Sequence, residues 1–255
     1  APGTKVFGYT YTGGCFAEYV VAKKEHVFES KNLPAPEAST YGIAHMTAYE
    51  SIVMTTEAAK HAGKTIYVAG AAGGVGHFAA QLAKLYGLKV IGSAGKELSL
   101  KLLHEMKLDH VIDYSKQNVV DEIMKITGGK GADIVYDSTY MQSSYDQSTR
   151  AVAKGGTFVR LGLEGQLSQT GAKDMTQEVV ARGAKMLIGD ASRYAAEPEK
   201  LAQSFERAVT WYGEGRLRPF ITTTVAFDAT KLQEAFEAFI RGEINVGKIV
   251  VKIAG

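Results

Sequence analysis

The chain has 255 residues, enough for one large domain or two small ones, and 45% of them are apolar, which suffices for a hydrophobic core. A net charge of +2 without a dense Lys/Arg run argues against nucleic-acid binding. Because Cys15 is the only cysteine, an internal disulfide framework and a multi-cysteine zinc site are excluded. No apolar run is long enough for a membrane span and no leader sequence is recognisable, so we expect a cytoplasmic protein.

Short β-rich pieces come first, and we predict strands at Lys5–Tyr9 and Phe16–Val21. From Lys64 to about Ala191, strand and helix patterns alternate, which is typical of a parallel sheet with helices on both faces. The predicted strands of this part are Thr65–Gly70, Lys89–Ala94, His110–Asp113, Ala132–Asp137, Gly156–Gly162 and Lys185–Gly189. The predicted helices between them are Gly74–Tyr86, Leu98–Met106, Val119–Thr127 and Tyr145–Ala153.

A long amphipathic helix is predicted next, at Ala195–Tyr212. It is followed by a predicted strand, helix and strand at Ile221–Phe227, Lys231–Ile240 and Lys248–Ile253. Since the two ends of the chain differ from its middle, we infer that they form a second module. Residues 1–41 and 218–255 would belong to this module, and residues 42–217 would be a dinucleotide-binding domain inserted into it.

A glycine-rich turn between the first strand and helix of the alternating part carries the chemistry. Backbone N–H groups at such a turn and in the first helical turn have no intrahelical partner, so they can bind a pyrophosphate. Alanine stands at Ala71, where the first glycine of the G-x-G-x-x-G pattern is expected. The cofactor-binding residues predicted in the turn are Ala72, Gly73, Gly74 and Val75.

The end of the second strand bears on the choice of cofactor. NAD-preferring sites place an acid here to bind the ribose 2′-hydroxyl, whereas this chain has Ser93, Gly95 and Lys96. A lysine and a hydroxyl suit the 2′-phosphate of NADPH, although Glu97 lies next to them. We therefore predict NADPH over NAD, while a solvated surface role for Lys96 stays open.

Motifs along essentially the whole chain resemble those of one enzyme family. They are Lys5–Gly8, Phe16–Val20, Met46–Tyr49, Ala71–Gly76, Val111–Tyr114, Asp133–Ser138, Gly155-Gly156 with Leu161-Gly162, and Asn245–Val250. The chain resembles zinc-independent medium-chain dehydrogenases/reductases, in the quinone oxidoreductase (ζ-crystallin-like) and alkenal double-bond reductase group. The resemblance implies an α/β fold, a Rossmann doubly wound parallel sheet inserted into a GroES-like β-rich catalytic domain. This second domain would be incomplete here, because family members carry a further N-terminal segment.

The resemblance also implies an activity, the NADPH-dependent transfer of hydride to a quinone or an α,β-unsaturated carbonyl compound. It assigns further cofactor contacts to Thr47, Tyr114, Ser138, Leu161, Gly162 and Asn245. Alternatives remain for three of them. Thr47 could cap a helix at Ala48–Thr56, Leu161 could be a core residue, and Asn245 could be a turn residue. No catalytic acid or base is identified.

Zinc chemistry is not expected. A catalytic zinc needs about three ligands, and the position of a zinc-ligating cysteine in the zinc-dependent relatives is Ile43 here. No two histidines stand at i and i+4, as in a zinc-binding helix, and only His45 merits a test as a ligand.

The resemblance also implies how subunits assemble, and it leaves a second class of function open. The family pairs subunits through the strand at residues 185–189, so we predict a homodimer. The alternative to a reductase is a nucleotide-binding protein with little or no turnover, in a crystallin-like or RNA-binding role or as a truncated inactive form.

Overall fold

The computed structural model describes residues 2–162, 173–244 and 246–253. Its strands are β1 (Val6–Gly8), β2 (Val27–Glu29), β3 (Thr65–Ala69), β4 (Lys89–Ala94), β5 (His110–Asp113), β6 (Ala132–Asp137), β7 (Val152–Leu161), β8 (Lys185–Gly189), β9 (Ile221–Ala226) and β10 (Lys248–Lys252). Its α-helices are α1 (Ala35–Thr40), α2 (Met46–Tyr49), α3 (Gly76–Leu85), α4 (Glu97–Glu105), α5 (Val119–Ile126), α6 (Gln142–Ala151), α7 (Thr176–Ala181), α8 (Pro198–Gly213) and α9 (Ala229–Ile240). Short 3-10 and π-helical segments lie at Lys24–His26, Tyr41–His45, Glu50–Thr55, Ala58–His61 and Ala191–Ala196.

Contacts divide the chain into two compact units. The first unit combines Ala1–Met46 with Ser192–Gly255, and the second, Thr47–Ala191, is inserted between these segments in sequence. The predicted bounds of the dinucleotide domain, 42 and 217, lie outside the second unit on both sides and stay a prediction.

The second unit contains a parallel sheet of six strands in the order β5-β4-β3-β6-β7-β8. Four consecutive residues of β3, Ile66 to Ala69, are each at most 3% exposed, so both faces of the sheet are covered. The strand order reverses between β3 and β6, and open α/β sheets bind ligands beyond the strand ends at such a point. The predicted doubly wound parallel sheet is confirmed.

The first unit holds two separate strand pairs and an aromatic core. Strands β1 and β2 are antiparallel, with Phe7 opposite Phe28, and β9 and β10 are parallel. The Phe205 ring of α8 lies 5.3 Å from the Phe7 ring and 4.6 Å from the Phe28 ring, between centroids. Leu201, Phe205 and Ala208 are buried, as the amphipathic pattern predicted.

Several sequence-based predictions of secondary structure differ from the structure. The predicted strand Phe16–Val21 is irregular, and Tyr19 and Val21 are about nine-tenths exposed. The alternating pattern was insufficient because a strand also needs a hydrogen-bonding partner, and no described strand pairs with this segment. Helix α6 begins three residues before its predicted start and gives way to β7 at Val152. No helix within the described ranges has the length and apolarity that crossing a bilayer requires.

Candidate functional site

The glycine turn lies at the C-terminal end of β3, where the strand order reverses. The Gly73 N–H donates to the Gly70 carbonyl oxygen at 2.8 Å, and Gly70 has a left-handed backbone, φ 70°. A Cβ atom at Gly76 would lie 2.0 Å from the Gly70 oxygen, so only glycine lets helix α3 begin this close to the strand.

Open backbone donors make the turn a phosphate cradle. Within the described residues, the N–H groups of Gly74, Val75 and Gly76 have no backbone acceptor. They sit at the N-terminus of α3, where the helix dipole favours an anion. Ala72 is buried, while Gly73, Gly74 and Val75 are half-buried. These are the features that a dinucleotide pyrophosphate needs, and four residues predicted from the sequence lie together in this turn.

Alanine at position 71 has a packing reason. Ala71 is fully buried, and its Cβ would lie 3.1 Å from a Cβ built on Gly92 of the neighbouring β4. The side chain therefore fills space against a glycine of the next strand. The departure from the G-x-G-x-x-G pattern leaves the open donors of the turn intact.

His77 supports the turn, and sequence reasoning missed this role. Its ring is buried, and Nδ1 lies 2.8 Å from the Gly73 carbonyl oxygen, which also accepts from the His77 backbone N–H at 3.1 Å. The ring nitrogen is thus the donor in this bond, because a carbonyl oxygen only accepts. A histidine one residue after the last glycine was the available signal.

The predicted 2′-phosphate residues follow β4 and β5. The Tyr114 ring covers Gly95 so closely that a Cβ there would lie 2.1 Å from it. Tyr114 is 54% exposed and Lys96 is exposed directly before α4, so both are accessible from solvent. Ser93 differs, because it is buried and its Oγ is hydrogen-bonded to the Tyr67 hydroxyl at 2.8 Å. The structure therefore brings Gly95, Lys96 and Tyr114 to one accessible edge and places the Ser93 hydroxyl inside.

The acid Asp113 also lies near this edge. Asp113 ends β5 in register with Ala94 of β4. Its carboxylate accepts hydrogen bonds from Ser115 and pairs with Lys116 at 3.1 Å. The Ser115 hydrogen bond, helped by Lys116, lowers the pKa of Asp113. These partners already engage the Asp113 charge beside the predicted phosphate position.

The predicted nicotinamide residues follow β6 and β7. The Ser138 hydroxyl donates to the Ala69 carbonyl oxygen at 3.3 Å, which ties the end of β6 to that of β3. Leu161 is buried, and Gly162 has φ 103° and donates its N–H to the Gly189 oxygen at 3.3 Å. Thr47 is half-buried within α2 and therefore does not cap a helix beginning at Ala48. Asn245 lies outside the described residues.

A buried carboxylate holds the loop after β6, and the sequence did not reveal it. Asp137 is fully buried, and its two oxygens accept four hydrogen bonds at 2.7–3.0 Å from the Thr139 N–H and the hydroxyls of Thr139, Ser144 and Ser148. Burial raises the pKa of Asp137, against the effect of these hydrogen bonds. The network fixes the backbone that presents Ser138.

Comparisons with known proteins extend over both units. A family model described as zinc-binding dehydrogenase matches residues 74–206. Human quinone oxidoreductase is 27% identical over 250 residues, which cover 98% of this chain and 72% of that protein. An NAD-dependent alcohol dehydrogenase of Sulfurisphaera tokodaii is 32% identical over 228 residues, which cover 88% of this chain and 60% of that protein. The crystal structure of the quinone oxidoreductase of Pseudomonas syringae pv. Tomato DC3000 has a TM-score of 0.81 at 20% identity, covering 98% of this chain and 75% of that one.

The description of the matching family model names zinc, but the described residues of this chain do not suit that metal. Among the described residues, no three His, Cys, Asp or Glu side chains are grouped to hold a metal ion. His45 is fully buried beside the rings of Tyr41 and Phe205, and burial lowers its pKa to about 3. The described residues therefore offer no zinc site.

Proposed function

Because the chain belongs to the medium-chain dehydrogenase/reductase family, we propose that it is an NADPH-dependent reductase of quinones or α,β-unsaturated carbonyl compounds that works without a metal ion. Family membership implies an oxidoreductase with a nicotinamide cofactor. The observation that carries the choice of NADPH is the accessible edge after β4, with Lys96 exposed and no acid at the end of that strand. A guanidinium or ammonium group at this position favours a 2′-phosphate, whereas an acid repels it.

Different residues of the second unit would bind different parts of the cofactor. The N–H groups of Gly74 and Val75 would bind the pyrophosphate, and Lys96 with Tyr114 would flank the 2′-phosphate. The backbone of Gly162 would contact the carboxamide. Bound NADPH would supply the hydride, and the protein would accelerate the reaction chiefly by positioning.

The acceptor class is proposed from relatives. The human and Pseudomonas syringae proteins are named quinone oxidoreductases, and both are matched along nearly the whole of this chain. Quinones and enones share an electron-poor carbon that accepts hydride and an oxygen that takes the resulting negative charge. Water or a donor near that oxygen would then provide the proton.

A cofactor and acceptor assay tests the proposal. We expect the purified protein to oxidise NADPH faster than NADH with at least one of an ortho-quinone, a para-quinone and an enone. Lys96→Glu should raise the Kd for NADPH at least tenfold and leave that for NADH within about twofold, because it replaces an attractive charge with a repulsive one. Lys125→Glu is the control, since Lys125 is also exposed and lies near the end of α5, where it pairs with Glu122 at 3.7 Å.

Two results would refute parts of this proposal. Preference for NADH, as the name of the Sulfurisphaera tokodaii relative suggests for that protein, would refute the choice of NADPH. Saturable NADPH binding without turnover on any of the three acceptors would instead favour the alternative of a binding protein.

We also propose a homodimer that pairs through β8. This strand is the last in the sheet order, and its residues Met186 to Ile188 are only half-buried. An edge strand with free backbone groups can pair with a second copy. Light scattering at micromolar concentration should give twice the mass of the chain, and a monomer mass would refute the dimer.

A further inference from the structure

Arg160 carries a buried charge at the C-terminal end of β7. Its side chain is 2% exposed, and it has five N–H donors. Within the described residues, Nη1 donates to the Gly162 carbonyl oxygen at 3.3 Å and Nε has no acceptor. One long bond to a neutral oxygen does not compensate for taking a guanidinium out of water.

The acids near Arg160 are engaged elsewhere. Asp137 faces Arg160 in register across β6 and β7, so both side chains lie on the same face of the sheet. The Asp137 carboxylate already accepts from three hydroxyls and one backbone N–H. Asp174 is close enough to feel the positive charge, but its carboxylate binds the N–H and hydroxyl of Thr176. Neither acid therefore forms a direct ion pair with the Arg160 guanidinium in the part that the structure describes.

The guanidinium lies at the C-terminal end of β7. It donates to the carbonyl oxygen of Gly162, the residue that directly follows this strand. Tyr140, on the adjoining loop, has a left-handed backbone with φ 57°, which is rare for a bulky residue and is found at functional sites. Burial raises the pKa of Tyr140, and the positive charge of Arg160 acts in the opposite direction. The two residues thus share one patch of the edge.

We propose that Arg160 binds an anionic oxygen of a ligand at this edge, either a phosphate of the dinucleotide or a carboxylate on the acceptor. The planar fork of a guanidinium fits both groups. A buried, poorly hydrogen-bonded cation destabilises the ligand-free protein, and such unfavourable features are expected mainly at functional sites. The inference rests on the proposed function only in placing a ligand at the C-terminal edge of the sheet.

Stability separates a binding role from a structural one. Arg160→Met keeps the unbranched stem and removes the charge, so the ligand-free variant should melt at the same temperature as the wild type or higher. A structural arginine would give the opposite result, a lower melting temperature. Arg150→Met is the control, because Arg150 is exposed and its Nε donates to the backbone carbonyl oxygen of Asp146 at 3.2 Å. If Arg160→Met does not fold, Arg160→Gln takes its place.

Two binding measurements separate the ligand sources. NADPH affinity is followed by fluorescence, and 4-oxopentanoate affinity by calorimetry in the presence of NADP⁺, with neutral 2-pentanone as the matched probe. At least a tenfold loss for NADPH identifies a phosphate, and at least a tenfold loss for 4-oxopentanoate alone identifies a carboxylate. Unchanged affinity for both probes would overturn the proposal, as would a wild type that binds neither. A wild type that binds 4-oxopentanoate but not NADPH would refute the cofactor assignment and leave Arg160 testable by the carboxylate arm.

Discussion

Adding a single methyl group at Gly76 should lower both the stability of the protein and its affinity for NADPH. Ala is favoured over Gly in a helix by about 1 kcal/mol, so propensity alone predicts that Gly76→Ala stabilises α3. The structure predicts the opposite effect, a loss of stability, because the new Cβ would lie 2.0 Å from the carbonyl oxygen of Gly70 and 2.7 Å from its carbonyl carbon. Contacts below 3.0 Å essentially never occur, so the turn must open by about 1 Å, the difference between 3.0 and 2.0 Å.

The expected effects concern both stability and binding. Overpacking against backbone costs about 1–3 kcal/mol, so the unfolding free energy should fall despite the better helix former. Opening the turn also displaces donors that would bind the pyrophosphate. Loss of one charge-assisted hydrogen bond costs about 1.5–3 kcal/mol, which corresponds to a rise in the Kd for NADPH of about 10- to 140-fold.

Urea unfolding and NADPH fluorescence titration measure these effects. Gly213→Ala is the matched control, because Gly213 ends helix α8 and a Cβ there would meet nothing within 4 Å. The control should stabilise the protein by up to about 1 kcal/mol and leave NADPH binding unchanged. If Gly76→Ala stabilised the protein as Gly213→Ala does and bound NADPH within twofold of the wild type, the argument from close approach would be wrong.

Three further predictions follow from buried groups. Burial raises the pKa of Asp137. The unfolding free energy of the wild type, relative to that of Asp137→Asn, should therefore be highest below about pH 4 and should decline as the pH rises through the raised pKa. If urea unfolding gave a difference that does not vary with pH, it would contradict this prediction. In the same assay, Phe205→Ala should lower the unfolding free energy by about 3–5 kcal/mol. Phe239→Ala, at a 58% exposed position, should change it by no more than about 0.5 kcal/mol. Equal losses for the two variants would refute the aromatic core. His77→Leu should raise the Kd for NADPH about tenfold. His77→Asn should raise it less, because asparagine retains an N–H donor toward the Gly73 carbonyl oxygen. Equal affinities of the two variants would argue against that hydrogen bond.

The sheet of the second unit was predictable because its signals are local. Strands β4, β5, β6 and β8 begin and end at the predicted residues, since each is a short apolar run bounded by polar or glycine positions. Helix α1 was not predicted, although Pro34 and Pro36 stand at its start, where proline is well tolerated. The irregular segment Phe16–Val21 shows the opposite error, a strand pattern without a strand partner.

The sequence by itself determined the glycine turn, the acid-free end of β4 and the order of strands and helices, because each depends on residues close together in the chain. Only the tertiary structure decided what surrounds them. Asp137 and Arg160 stand 23 positions apart in the chain and became neighbours through the register of β6 and β7. The Asp137 carboxylate accepts hydrogen bonds from two hydroxyls of α6, and these bonds occupy oxygens that could otherwise pair with Arg160. Hydrogen bonding in a buried site is a property of three-dimensional neighbours, so no local pattern could have revealed it.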